Sequence, residues 1–345
     1  MRSLTQLLRT NIQNLKPYSS ARDEYTGEEG VFLDANENPF NEPYNRYPDP
    51  YQRKLKAIIA ELKEVDAAQI FLGNGSDEAI DLVYRAFCEP GIDNVVSIDP
   101  TYGMYQVAAE TNDVKVKKVK LTSDFELDVA ALLDVVDANT KMLWICSPNN
   151  PTGNCFRETD VETILRKFDG IVVLDEAYVD FAPGRSMLGK LNNFPNLVVM
   201  QTFSKAWGMA GIRLGMAFAQ PEIIKILSRI KYPYNLNILT QKKAMELISQ
   251  NKEKTEQWIK LLLDERIKLA SELKKLPFVH HIYPSDANFL LVRTTEPKRI
   301  YNFLVDKKII IRDRSTVTLC EGCLRITVGS PEENRILMDA LRLFV

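Results

Sequence analysis

The sequence predicts an α/β protein, with a large, mostly parallel sheet covered by helices on both faces and a smaller α+β unit after it. Three observations carry this. Short apolar runs recur up to residue 219, and stretches of helical length lie between several of them. After about residue 235 that rhythm gives way to one long helical pattern and a few strand-like segments. The 345 residues suffice for one large domain with a smaller companion.

In chain order, residues 1–30 are polar and broken by Pro17 and Gly27, which reads as an arm. Leu55, Ile58, Ile59 and Leu62 recur at helical spacing over 53–63. The apolar runs 69–72, 94–98, 114–121, 141–146, 171–174, 197–201 and 215–219 read as strands. Residues 76–88, 102–111 and 158–168 read as helices between them. A long helix is predicted over 251–276, with Trp258, Leu262, Leu269, Leu273 and Leu276 on one stripe and Pro277 ending it. Strand-like segments follow at 288–293, 308–312 and 323–328, with helices at 297–306 and 331–343.

Charge and composition exclude several classes. Lys+Arg 44 against Asp+Glu 46 leaves a net charge of −2, so nothing invites nucleic acid. No apolar segment suits a signal peptide or a bilayer span, and a cytoplasmic protein without membrane association is expected. Five cysteines, an odd number, suggest reduced thiols. Cys320 and Cys323 have C-x-x-C spacing, but a strand-like segment follows where a redox motif wants a helix, so the spacing reads as chance. No metal is expected. His280-His281 reads as strand or loop surface.

The chemistry concentrates where apolar runs end. Lys205 follows 197–201, among Thr202, Ser204, Gly208 and Gly211, with Arg213 eight positions on. Asp175 ends 171–174, and Tyr178 lies three residues further. Glu176 points to the opposite face if strand geometry persists. In open α/β sheets, sites form beyond the carboxyl ends of strands. An amine, an acid and a phenol gathered there suit pyridoxal phosphate (PLP). Lys205 would be the amine that condenses with the aldehyde, and burial would hold it neutral. Asp175 would keep the pyridine nitrogen protonated, and Tyr178 would bond the ring oxygen. Gly75, Ser76 and Asp77, at a glycine-eased helix start, would hold the phosphate by backbone N–H groups, with Asp77 and Glu78 turned away. Thr202, Ser204 and Arg213 would complete that cup. Tyr102 or Tyr105 would cover the ring, with Tyr102 nearer the strand end, and Asn150 would donate to the ring oxygen.

Three segments taken together, SPNNPTG at 147–153, VVLDEAYVDF at 172–181 and TFSKAWGMAGIRLG at 202–215, resemble the fold-type I, aspartate-aminotransferase-like PLP enzymes. LDANENPF at 33–40, NRYPDP at 45–50, DPTYGMY at 99–105 and GCLRITVGS at 322–330 look like the histidinol-phosphate aminotransferases of histidine biosynthesis. The resemblance implies a seven-stranded sheet in a large domain over 36–235, and a small domain over 236–345 joined by an arm over 1–35. It implies a homodimer with shared active sites, in which Tyr47 reaches the partner's site. It also implies Arg325 as the grip on substrate anions, with Arg312, Tyr18 and Asn36 nearby. A planar guanidinium suits glutamate's carboxylate and a substrate phosphate in turn. Arg312-Asp313-Arg314 could equally be a solvated ion-pair cluster. Threonine-phosphate decarboxylases and aromatic aminotransferases stay open as related readings. A PLP-sensing regulator would need a DNA-binding domain, for which about thirty residues before ANENP are too few.

Overall fold

The computed structural model of the chain describes residues 2–16 and 30–344. The large sheet contains β1 (Ile70–Asn74), β2 (Asn94–Asp99), β3 (Lys115–Lys120), β4 (Thr140–Cys146), β5 (Ile171–Asp175), β6 (Leu197–Thr202) and β7 (Leu214–Phe218). Their spatial order is β1-β7-β6-β5-β4-β2-β3. Only β7 is antiparallel to its neighbours, β1 and β6. The central strands carry apolar residues on both faces of the sheet because both faces are covered. In β5, Val172 and Leu174 enter the core on one side, and Ile171 and Val173 the core on the other. At the edge, β3 reads Lys-Val-Lys-Lys-Val-Lys, charges that discourage pairing with another chain.

Two short helices, α1 (Leu4–Leu7) and α2 (Thr10–Gln13), open the chain. Leu7 and Ile12 are buried against the large sheet's helical layer, and the Arg9 N–H donates to the Ala86 carbonyl at 3.0 Å. Residues 2–16 therefore dock on the large unit, not the small one as the arm was expected to. Apolar Leu7 and Ile12, with Leu4 and Leu8 packed beside them, are the reason.

The helices around the large sheet are α3 (Arg53–Lys63), α4 (Ser76–Phe87), α5 (Met104–Thr111), α6 (Val129–Asp134), α7 (Glu158–Lys167) and α8 (Pro221–Ile230). Next comes α9 (Ile238–Leu273), 36 residues long, and it begins well before the predicted 251. The Asn237 side chain caps it, accepting from the Thr240 N–H at 2.8 Å. Ala244 and Ile248 of α9 lie in a core of the large sheet, and Leu269 and Leu273 in the core of the small one. The small sheet, all antiparallel, has the order β10-β11-β9-β8, from β8 (Val279–Ile282), β9 (Phe289–Thr294), β10 (Arg312–Asp313) and β11 (Cys323–Thr327). Helices α10 (Pro297–Asp306) and α11 (Pro331–Arg342) cover it. Among the described residues no helix is long and apolar enough to cross a membrane.

Candidate active site

Strands β1, β2, β4, β5 and β6 are parallel, so the loops leaving them share one edge. Because β7 runs the other way, the residue entering it, Arg213, lies at that same edge. One cavity of about 210 Å³ opens there. Gly75, Ser76, Asp77, Tyr102, Asn150, Asp175, Tyr178, Thr202, Ser204, Lys205 and Arg213 all line it, joined by Cys146 and Ala177.

Asp175 ends β5 and is buried. One carboxylate oxygen accepts from the Ala177 N–H at 3.0 Å, the other from the Tyr105 hydroxyl at 2.6 Å. Burial raises its pKa, and these donors and the nearby Lys205 oppose the rise. Glu176 takes the opposite face, as strand alternation requires. It accepts from the Met187 N–H, the Ser186 hydroxyl and the Gln201 amide at 2.7, 2.6 and 2.8 Å. Burial still pushes Glu176 up to about 7. The folded chain thus holds this proton more tightly than the unfolded one, so stability falls as pH rises from about 4.5 through 7, by roughly 3 kcal/mol. Glu176→Gln is expected to flatten the slope of melting temperature against pH in that window. Identical slopes would refute the assignment.

Lys205 extends toward Tyr178, its Nζ 5.5 Å from the ring centre. The residue is solvent-accessible, not buried as expected, because it stands in the open cavity. The protein crowded around its tip nevertheless lowers its pKa, and the positive charge of Arg325 lowers it further.

The expected phosphate cup is a place of close backbone approach. Gly75, the uncapped start of α4, has φ +71°, and a Cβ there would sit 2.7 Å from Arg213 Nη2. A Cβ on Gly215 would meet the Ser76 nitrogen at 2.1 Å. Arg213 is left-handed (φ 56°), and its carbonyl accepts from the Gly75 N–H at 2.9 Å. The Thr202 and Ser204 hydroxyls are 3.0 Å apart beside it. Glu78 turns away as expected, accepting from the Asn74 backbone and the Asn235 side chain at 2.6 and 3.0 Å. Asp77 does not. Its carboxylate faces the cavity, 3.6 Å from Arg213 Nη2, and accepts from the Tyr102 hydroxyl at 3.3 Å. The guanidinium draws it there.

The small unit contributes from its central strands. Arg325 on β11 donates to Asn150 Oδ1 and lies 5.2 Å over the Phe289 ring, which packs edge-on against Tyr178. Asn150 accepts from Arg325, which leaves its amide N–H end as the donor. Arg312 pairs in register with Arg325 and is exposed. Sequence reasoning missed Arg314. Its N–H donates to the Cys323 carbonyl, which continues the ladder and puts Arg312, Arg314 and Arg325 on one face. Asp313 turns aside to accept from the Ser315 N–H and hydroxyl, at 2.8 and 2.6 Å. None of the three arginines makes an ion pair among the described residues, and Arg314 Nε is buried without a partner. The solvated ion-pair reading of this segment therefore fails. The Arg-Asp-Arg alternation was the available signal.

Two other expected residues, Asn36 and Tyr47, are not in the cavity wall. Asn36 is exposed. Tyr47, 51% exposed, stacks on Tyr234 with ring centres 4.4 Å apart. Tyr18 lies outside the described residues.

Comparison with known proteins identifies the family. The family described as aminotransferase class I and II matches residues 30–341. The chain belongs to the class I and II aminotransferases. This aminotransferase is 57% identical to a protein of Parabacteroides distasonis named histidinol-phosphate aminotransferase, over 99% of both chains. The histidinol-phosphate aminotransferase structure from Clostridium acetobutylicum shares its fold, with a TM-score of 0.80 at 24% identity, over 87% of this chain and 90% of that one. L-threonine-O-3-phosphate decarboxylase from Porphyromonas gingivalis is similar too, with a TM-score of 0.73 at 25% identity, over 87% and 91%.

The aminotransferase's own residues fit PLP. Asp175 is a buried acid with two donors and no cation in ion-pair contact among the described residues, a charge that a protonated ring nitrogen would match. The uncapped α4 start, two hydroxyls and Arg213 form an anion cradle. Lys205 lines the same cavity.

Proposed function

We propose that this chain is a PLP-dependent aminotransferase that exchanges the amino group between L-histidinol phosphate and 2-oxoglutarate, giving imidazole-acetol phosphate and L-glutamate, a step of histidine biosynthesis. One observation carries the reading. A lysine and a buried acid share a cavity, and beside it three guanidiniums without counter-charges stand on one sheet face. The name of the Parabacteroides relative supports the substrate.

When bound, PLP supplies an aldehyde for amine exchange and a pyridinium ring that takes up the electron pair left at the substrate Cα. Gly75, Ser76, Thr202, Ser204 and Arg213 would hold its phosphate, Tyr102 would cover the ring, and Asn150 and Tyr178 would address the ring oxygen. Lys205, as a free amine, would take the proton from Cα of glutamate. It later returns one to Cα of the forming histidinol phosphate. A lowered pKa suits this work, because the amine must be neutral to accept a proton. Arg325 grips glutamate's α-carboxylate and then the substrate phosphate, and Asn36 and Tyr18 belong to the same substrate-binding set. Arg312 and Arg314 add the charge that a phosphate dianion needs and a carboxylate does not.

Arg314→Gln is therefore expected to raise KM for histidinol phosphate about tenfold, with KM for glutamate nearly unchanged. Equal changes for both substrates would remove Arg314 from phosphate recognition.

The active form is a homodimer in which Tyr47 of each copy completes the other's site. Exposed Val31, Leu33, Phe40, Tyr44 and Tyr47 fall in one segment, as an association surface would have it. The enzyme works in the cytoplasm. Five buried, unpaired thiols suit a reducing compartment.

A spectral titration tests the whole reading. The purified protein should be yellow and should bleach with histidinol phosphate. Failure to bleach with it, or carbon dioxide release from phosphothreonine, would favour a decarboxylase. Bleaching by phenylalanine alone would favour an aromatic aminotransferase.

A further inference from the structure

We propose that Tyr105 is a positioning residue whose hydroxyl holds the proton of the Asp175–cofactor pair on the ring nitrogen instead of on the carboxylate. The inference rests on the PLP reading above. Tyr105 is buried, lines no part of the cavity and cannot touch substrate. Yet it is the only side chain among the described residues that donates a hydrogen bond to Asp175, at 2.6 Å. The other donor is the Ala177 N–H.

The phenol is held rigidly for this purpose. Its ring stacks on Trp144 at 4.6 Å, and Trp144 stacks on Tyr84 at 5.4 Å, with planes within 20° in both pairs. The Tyr84 hydroxyl donates to the Tyr105 carbonyl at 2.9 Å. Three aromatic rings from α4, β4 and α5 thus fix where one hydroxyl points.

The chemistry follows from the place of the proton. A buried carboxylate facing a pyridine nitrogen shares one proton with it. Every donor to the carboxylate makes it less basic, so the proton stays on nitrogen, where it lets the ring accept electrons. Without the phenol, the proton moves toward oxygen and the ring becomes a poorer electron acceptor. No proton is gained or lost, since it only changes sides. Lys205, Asp77, Cys146, Tyr102 and Tyr178 also face Asp175 electrostatically, but none of them donates to it.

Tyr105→Phe keeps the ring stack and deletes the hydroxyl, which donates to Asp175 and also meets the Cys146 thiol. In holoenzyme reconstituted with PLP labelled with nitrogen-15 on the ring, the variant's resonance is expected to move toward that of unprotonated pyridine at neutral pH. Its kcat should fall about tenfold or more. In the cofactor-free protein, the carbon-13 carboxyl resonance of Asp175 should titrate at higher pH in the variant, a measurement that does not depend on PLP affinity. Tyr84→Phe, which leaves the Asp175 contact in place, should leave the nitrogen resonance unmoved. An unchanged nitrogen resonance in Tyr105→Phe, or an unchanged Asp175 titration, overturns the proposal. Wild-type protein that takes up no PLP at Lys205 overturns instead the reading beneath it.

Discussion

Replacing Lys205 by alanine is expected to lower turnover by about 10⁴-fold, the upper range for loss of a positioned proton-transfer group. No other amine lines the cavity. The variant should still bind PLP through the cup at Gly75, Ser76 and Arg213, because none of those contacts involves Lys205. Single-turnover kinetics with glutamate check the loss, and near-normal rates would remove the lysine from its role. The same variant tests the shared sites. Mixed with Tyr47→Ala chains, it should form hybrid dimers with one intact site, restoring about a quarter of wild-type activity. No recovery would mean that each chain completes its own site.

Asp175→Asn should weaken PLP binding by about 100-fold or more, because a buried charge partner is worth roughly 3–5 kcal/mol. Turnover should fall with it. Cofactor-free protein should respond in the opposite sense. Burial raises the pKa of Asp175, so in the folded protein the ionised form is a burden that grows as pH rises past the ordinary carboxylate range. The amide should therefore raise the melting temperature of the cofactor-free protein at neutral pH while lowering that of the loaded enzyme. Titration of PLP by fluorescence, and melting with and without it, read both effects. Unchanged affinity would take Asp175 out of the site.

Much of this was legible because it is local. Lys205 and Asp175 each follow an apolar run, and in a parallel sheet the end of such a run is a place in space. The readings that failed depend on residues far away in sequence. Asp77 faces the cavity because Arg213, which enters the one reversed strand, attracts it. Arg314 gains its direction from pairing beside Cys323. The start of α9 escaped notice because its first turns bury Gln241, Ala244 and Ile248 against one unit while its last turns bury Leu269 and Leu273 against another. The buried positions share one stripe, but polar Gln241, Thr255 and Glu265 interrupt it, so no continuous apolar pattern marks the helix. Leu7 and Ile12 were too few to predict where the first residues dock.

That same helix acts as a beam. At 1.5 Å per residue its 36 residues extend about 54 Å, anchored in two cores at its two ends. A bend of one degree at its midpoint swings the far end by about 0.5 Å. Arg325 sits in the unit at that far end and reaches across to Asn150, so a small flexure of the beam suffices to shift its guanidinium against the loop that carries Asn150.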